Sequence, residues 1–82
     1  MHKVKVLFFA TLRDYVGSKS LEIEIPFGMT VGGLTDLLVA TYPLLEKVKN
    51  SMMVAINREY AANEQVIPEG AEIAFFPPVS GG

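Results

Sequence analysis

The spacing of apolar residues changes along this chain, and that change constrains the fold more than any other sequence feature. Four runs alternate apolar with polar side chains or are rich in β-branched and aromatic residues: residues 3–10, 21–25, 52–56 and 72–76. Such runs predict β-strands, in which successive side chains point to opposite faces. Residues 31–41 instead repeat apolar side chains at helical spacing, after a potential N-cap at Thr30 and before Pro43. The chain is therefore expected to form several strands and one main helix.

The order of these segments predicts a two-layer α+β domain. Residues 3–10 and 21–25 are expected to form a hairpin with a long loop, and a further short strand is expected around residues 60–62. The first and last strands should pair in parallel in the middle of the sheet, through a right-handed crossover. This is the ubiquitin-like β-grasp topology, a mixed sheet with one main helix packed across one face. We expect residues 1–76 to form this domain and residues 77–82 to form an extended, flexible C-terminal tail.

Composition excludes several classes of function. The 82 residues include no cysteine and one histidine, so a disulfide, a thiolate nucleophile or a cysteine-based zinc site is excluded and no metal site is expected. A net charge of −2 without a basic cluster disfavours nucleic acid. No apolar run approaches the ~20 residues of a membrane span. With no signal-peptide pattern either, we expect a cytoplasmic protein without membrane contact.

No acid–base pair is indicated by the spacing of the acidic residues, so the chain is not expected to be an enzyme by itself. Gly32-Gly33 is not followed by Lys-Ser or Lys-Thr, which disfavours a phosphate-binding loop. These two glycines are instead expected to allow close packing between the helix and the sheet.

The C-terminal segment Pro77-Pro78-Val79-Ser80-Gly81-Gly82 is the most informative part of the sequence. Two consecutive prolines cannot continue a strand ladder and favour a stiff, extended backbone. Ser80, Gly81 and Gly82 then add little width and much backbone freedom. The carboxylate of Gly82 is thus suited to enter a narrow pocket of another protein. The alternative is an ordinary frayed chain end.

Alternation also predicts an apolar patch on the face of the sheet opposite the helix. One set of strand residues is expected to face the helix: Val4, Val6, Phe8, Ile73 and Phe75. A second set is expected to face outward: Leu7, Phe9, Ala74 and Phe76. Because the central strands are parallel, Phe9 and Phe76 should lie together where the tail departs, which suggests a protein-docking surface. The alternative is that a loop or the Tyr60 segment covers them.

Both ends of the chain resemble the MoaD family, the small subunits of molybdopterin synthase. Lys5-Val6-Leu7-Phe8-Phe9-Ala10 is similar to the beginning of that family, and residues 72–82 resemble its end even more closely. Shorter similarities follow in the family's order: Leu12-Arg13, Gly17, Thr30-Val31, Val54-Ala55-Ile56-Asn57 and Pro68-Glu69-Gly70. The ending Phe-Phe-Pro-Pro-Val-Ser-Gly-Gly is the specific feature, since Gly-Gly alone is shared across ubiquitin-like carriers.

The resemblance implies a sulfur carrier subunit. A ubiquitin-activating-type (MoeB-like) enzyme would use ATP to adenylate the carboxylate of Gly82, and a sulfur donor protein would convert it to a thiocarboxylate. The tail would then enter the large (MoaE-like) synthase subunit and give sulfur to a pterin precursor, forming the dithiolene of molybdopterin. Catalytic residues would lie on the large subunit, and this chain would bind no cofactor itself. By matching position, Phe9, Tyr60 and Phe76 would contact the partner.

Two other interpretations stay open. A related ubiquitin-like sulfur carrier for thiamine synthesis or tRNA thiolation would share the fold and the tail, although the Phe-Phe-Pro-Pro ending speaks against both. A non-catalytic β-grasp module that binds proteins would share the fold, and its tail would be inert.

Overall fold

The computed structural model describes residues 1–78. Val79, Ser80, Gly81 and Gly82, which include the predicted site of activation, lie outside the described residues. Five strands form one sheet: β1 (His2–Phe8), β2 (Ser20–Ile25), β3 (Met53–Ile56), β4 (Glu59–Tyr60) and β5 (Glu72–Phe76). Three helical segments connect them: α1 (Thr11–Val16), α2 (Val31–Thr41) and a 3₁₀ helix (Pro43–Val48).

The strand order across the sheet is β2-β1-β5-β3-β4. The two chain-terminal strands β1 and β5 lie side by side and run parallel, with Val6 opposite Ile73, while every other pair is antiparallel. The predicted parallel pairing in the middle of the sheet is therefore confirmed. The mixed sheet with a helix packed across it is the β-grasp architecture expected from the order of the segments.

One face of the sheet packs on the helices and forms the core. All five residues predicted to face inward are buried: Val4, Val6, Phe8, Ile73 and Phe75. The rings of Phe8 and Phe75 stack with their centroids 5.9 Å apart, joining the two central strands below α2. Leu34 of α2 and Leu45 of the 3₁₀ helix are fully buried against the same cluster. Burial of each such side chain contributes roughly 1.5–3 kcal/mol.

Helix α2 begins and ends where the sequence predicts. Thr30 has an extended backbone, and its Oγ1 accepts a hydrogen bond of 3.1 Å from the amide of Gly33. This bond satisfies one of the amides that the first turn of a helix leaves unpaired. The helix ends at Thr41 because Pro43 begins the next segment, a 3₁₀ helix.

Three local predictions are wrong. The first strand ends at Phe8 rather than Ala10, since Ala10 has a φ of 52° and leaves the ladder. The long loop that was expected next contains α1, which ends at Val16 and is capped by Gly17 with a φ of 84°. Helix α1 has six residues and only Leu12 among them is buried, so it shows no helical repeat in the sequence. The close contacts at Gly32 and Gly33 are not with the sheet: a Cβ at Gly32 would meet the carbonyl of Asn63 at 3.4 Å.

The helices lie on one side only, which leaves the opposite face of the sheet available to form a surface site. Among residues 1–78, no helix combines the length and apolar character that crossing a membrane would require.

Candidate functional site

Two phenylalanines stack on the outer face of the sheet, at the end where β5 meets the tail. Because Phe8 lies opposite Phe75 in the parallel ladder, the next residues, Phe9 and Phe76, both turn to the other face. Their ring centroids are 4.8 Å apart and their planes differ by 8°, an offset-stacked pair. Phe9 is 39% exposed, and its amide donates to the carbonyl of Phe75 over 3.2 Å. Their predicted proximity is confirmed.

Strand register brings a third predicted residue to the same place. One row of outward-facing residues crosses four strands, from β1 to β4: Leu7, Ala74, Ala55 and Tyr60. The two alanines in the middle of this row have small side chains, and the larger side chains around them project farther from the sheet. This difference in size leaves a pocket of about 480 Å³ over the alanines. Tyr60 lies at the edge of this pocket and is 73% exposed, so its segment does not cover the phenylalanines.

A charged row borders the apolar residues on the same face. Two residues closer to the start of β1, Lys5 lies opposite Glu22 on one side and Glu72 on the other. Glu72 also lines the pocket. The outer face is thus divided into an apolar part next to the tail and a charged part farther from it. We call the apolar part, together with the two charged residues that line its pocket, the docking patch: Leu7, Phe9, Ala55, Arg58, Tyr60, Glu72, Ala74 and Phe76.

The turn between β3 and β4 brings Arg58 to this patch. Asn57 and Arg58 have φ angles of 49° and 73°, and Ile56 pairs with Glu59, which defines a two-residue type I′ hairpin. Two hydrogen bonds fasten the turn to β5: the Asn57 amide donates to the Glu72 carbonyl at 2.8 Å, and the Glu72 amide donates to Asn57 Oδ1 at 2.9 Å. Arg58 therefore has a defined backbone position beside Glu72.

The model of the ThiS family matches residues 6–82, a range that includes the whole docking patch and the C-terminal Gly-Gly. This chain belongs to the ThiS family. The molybdopterin synthase sulfur carrier subunit of Arabidopsis thaliana is 36% identical over 80 residues, with 98% of this chain and 83% of that protein aligned. The resemblance to molybdopterin synthase small subunits is thereby confirmed.

Two solved structures share the fold of this ThiS-family chain. Small archaeal modifier protein 1 of Haloferax volcanii is 35% identical over 82 residues, with 90% of this chain and 94% of that protein aligned. Its crystal structure gives a TM-score of 0.83 at 34% identity, with 98% and 99% of the two chains covered. A complex of subunits 1 and 2 of molybdopterin-converting factor from Helicobacter pylori contains a chain with a TM-score of 0.68 and 20% identity, with 98% and 99% covered. At that identity the likeness concerns the fold.

The sequence of this chain predicted only some of the residues that form the docking patch. Phe9, Tyr60 and Phe76 are found together, and their contact with a partner stays a prediction. Pro77 and Pro78 follow directly after the last residue of β5, as expected, while the rest of the predicted tail lies beyond residue 78. Sequence reasoning missed Arg58. The available signal was an Asn-Arg pair between two strand segments, which favours a tight turn but does not say what the turn lies beside.

The ion pair found in residues 1–78 lies away from the docking patch. Lys49 Nζ and Asp36 Oδ1 are 2.9 Å apart, and this hydrogen bond together with the charge of Asp36 raises the pKa of Lys49 above its ordinary 10.5. Across the described part of the chain, no group of three or more histidine, aspartate or glutamate side chains is arranged to hold a metal ion.

Proposed function

We propose that this chain is the sulfur carrier subunit of a molybdopterin synthase. The observation that carries the proposal is an alignment of 98% of this chain with a relative of that name, and the ThiS family model extends through the C-terminal Gly-Gly. The docking patch supports it, because a carrier needs a surface that holds a partner while its terminus reacts. The last residue of the patch in the sequence is Phe76, and Gly82 is six residues farther along the chain.

The chemistry begins at the carboxylate of Gly82, which is a poor electrophile. A ubiquitin-activating-type enzyme supplies ATP; the carboxylate oxygen attacks the α-phosphorus, and pyrophosphate leaves. AMP is then the leaving group when a sulfur donor replaces it, which converts the terminus into a thiocarboxylate. Thiocarboxylate sulfur is a good nucleophile and attacks the pterin precursor held by the large subunit. Water then cleaves the acyl–sulfur bond, which leaves the sulfur on the pterin and returns Gly82 to a carboxylate. The catalytic residues belong to that large subunit, and ATP belongs to the activating enzyme.

The docking patch has two roles in this scheme. The activating enzyme and the large subunit each bind the C-terminal tail of this chain. Each therefore also needs to bind the face of the sheet next to that tail. Phe9, Tyr60 and Phe76 provide an apolar surface of the kind that protein interfaces favour. We therefore assign them to the contact with both partners.

A second candidate function is protein modification, because one close relative is named a small archaeal modifier protein. The first step would be unchanged, and an amine of a target protein would displace AMP in place of the sulfur donor. The two functions differ in the product: a free thiocarboxylate terminus in one, an amide bond to Gly82 in the other.

Intact mass distinguishes these products. We expect that co-expression with an activating enzyme and a sulfur donor will yield a chain heavier by one sulfur in place of one oxygen, mapped to Gly82. A variant that lacks Gly81-Gly82 is the control and should show no shift. A plain carboxylate under these conditions would contradict the sulfur carrier, and amide-linked conjugates alone would favour the modifier. Survival of activity in the deleted variant would favour a binding module with an inert tail.

Partner choice distinguishes molybdopterin synthesis from thiamine synthesis or tRNA thiolation. The wild-type chain is expected to capture a molybdopterin synthase large subunit, and Phe76→Arg is expected to lose it. The control is Phe27→Arg, which places the same charge on a phenylalanine outside the docking patch, 62% exposed and just beyond the end of β2. Equal capture by wild type and Phe76→Arg would contradict the assignment of the patch.

A further inference from the structure

Arg58 has a backbone conformation that its residue type disfavours. Its φ is 73°, at the second position of a type I′ turn where glycine is the common residue. A side chain with a Cβ is strained at positive φ, so the fold loses some stability by having arginine there. Strain of this kind, held in place by the surrounding structure, is a reason to look for a function. Here the two hydrogen bonds between Asn57 and Glu72 hold the turn.

The position of the turn gives the arginine an exposed location at the edge of the docking patch. Arg58 lines the pocket together with Tyr60 and Phe76. Within residues 1–78, the single ion pair joins Asp36 and Lys49. In the same residues the guanidinium of Arg58 forms neither an ion pair nor a hydrogen bond. The five donors of the guanidinium therefore make no hydrogen bond within the described chain, although the Glu72 carboxylate lines the same pocket.

The charges around the pocket indicate what the guanidinium can bind. Glu72, the neighbouring carboxylate, also lies in register with Lys5, so it has a second cation beside it. Arg58 is the other cation near Glu72, at the end of the pocket opposite Phe76, because Asn57 pairs with Glu72 whereas Phe76 pairs with Met53. A planar guanidinium forms paired hydrogen bonds with a carboxylate, and it does so most strongly where apolar neighbours exclude water.

We propose that Arg58 binds an acidic side chain of the large synthase subunit, adjacent to an apolar side chain that the same subunit inserts into the pocket. The inference rests on the proposed function, because it takes the partner from there and adds the chemistry of the partner's surface. Apolar contacts in the pocket provide the grip. The ion pair between Arg58 and the partner's acidic side chain gives specificity, because it favours a partner whose carboxylate lies opposite Arg58.

The test separates the effect of Arg58 on folding from its effect on binding. Arg58→Gly removes the strain of positive φ, so its melting temperature should rise above that of the wild type. Its dissociation constant for the large subunit should increase about tenfold or more, because a partner carboxylate is left unpaired. A variant that is more stable and yet binds more weakly is not expected from a purely structural residue. If Arg58→Gly is more stable and binds with unchanged affinity, the inference is wrong.

Further variants identify the charge as the cause. Arg58→Lys should keep part of the affinity, since it retains the charge and loses the paired geometry, and Arg58→Glu should bind most weakly. Lys47→Glu makes the same charge change on an exposed residue of the 3₁₀ helix and should bind normally. Added salt should weaken the wild type more than Arg58→Gly. An equal loss in Lys47→Glu, or an unchanged salt response in Arg58→Gly, would contradict a specific pair.

The failure of this inference can be told apart from the failure of the proposed function. If Phe76→Arg abolishes binding while every Arg58 variant binds like the wild type, only the role of Arg58 is overturned. If the wild-type chain does not bind the large subunit at all, both are overturned. If a second copy of this chain occupies the pocket, the chain alone will dimerise in sedimentation experiments and Arg58→Glu will prevent it, which also overturns the inference.

Discussion

Phe75 and Phe76 are consecutive residues with opposite environments. Phe75 is fully buried and stacks on Phe8 inside the core, whereas Phe76 is half-buried and stacks on Phe9 in the docking patch. A strand places neighbours on opposite faces, so stability and partner binding can be assigned to adjacent positions of β5. Their sequence context, Phe-Phe-Pro-Pro, does not by itself say which of the two is inside; the alternation of the preceding Ile73 and Ala74 does.

We expect Phe75→Ala to destabilise the fold far more than Phe76→Ala. Loss of a buried phenylalanine costs about 3–5 kcal/mol, a large part of the total stability of a small domain. Phe76→Ala removes part of one aromatic pair and should cost about 1 kcal/mol. Urea denaturation of the two variants measures the difference. Similar midpoints for both would contradict the assignment of faces, and Phe76→Ala should still weaken binding of the large subunit.

At the scale of elements, α2 is held at both ends by local contacts and in its middle by packing. The Thr30 cap fixes its start, and Leu34 and Leu38 pack into the core. The ion pair between Asp36 and Lys49 connects α2 to the residue that follows the 3₁₀ helix. Both partners are substantially exposed, with side-chain exposures of 67% for Asp36 and 36% for Lys49, so we expect a small contribution to stability.

The ion pair should show a specific dependence on pH. The pKa of Lys49 is raised by its hydrogen bond to Asp36, so the pair's stabilisation is fully present below the ordinary value of 10.5 and is lost as pH rises through the raised value. We expect Asp36→Asn to lower the melting temperature slightly at neutral pH and low salt, and not above the raised pKa. Glu64→Gln, at an exposed loop position, is the control and should show no such pattern. A difference that persists at high pH would contradict this cause.

For the whole molecule, the sheet order matters most. The central strands β1 and β5 each pair on both sides. They carry the core phenylalanines Phe8 and Phe75, and the paired phenylalanines of the docking patch are Phe76 of β5 and Phe9, the residue that follows β1. Parallel pairing of the first and last strands places the tail at the end of the most protected part of the fold. Under the proposed function this arrangement suits a carrier, because a partner would bind the sheet next to the point where the C-terminal segment begins.

The rates of amide hydrogen exchange should depend on the position of each strand in the sheet. Amides of β1 and β5 are expected to exchange most slowly, near the rate set by global unfolding, because both strands are central and buried on one face. Amides of β4, a two-residue edge strand, should exchange fastest among the strands. Exchange measured by NMR tests this at single residues. Protection of β4 equal to that of β5 would contradict the observed strand order.

Sequence alone predicted the features that depend on neighbours along the chain. Alternation assigned the inward and outward residues of β1 and β5, because side-chain direction in a strand repeats every second residue. A capping threonine and a proline bounded α2, since helix ends depend on nearby groups. The two end segments also revealed the family and placed Phe9 beside Phe76, once parallel pairing was assumed.

Tertiary structure alone decided the rest. Helix α1 was missed because one buried leucine, Leu12, gives no repeat, and its position depends on the core that receives it. The pocket exists because two alanines from different strands, Ala55 and Ala74, come into register. Arg58 reaches that pocket through a turn that Asn57 fastens to a residue 15 positions farther along the chain. Contacts between residues so far apart depend on how strands align, and no local pattern in the sequence encodes that alignment.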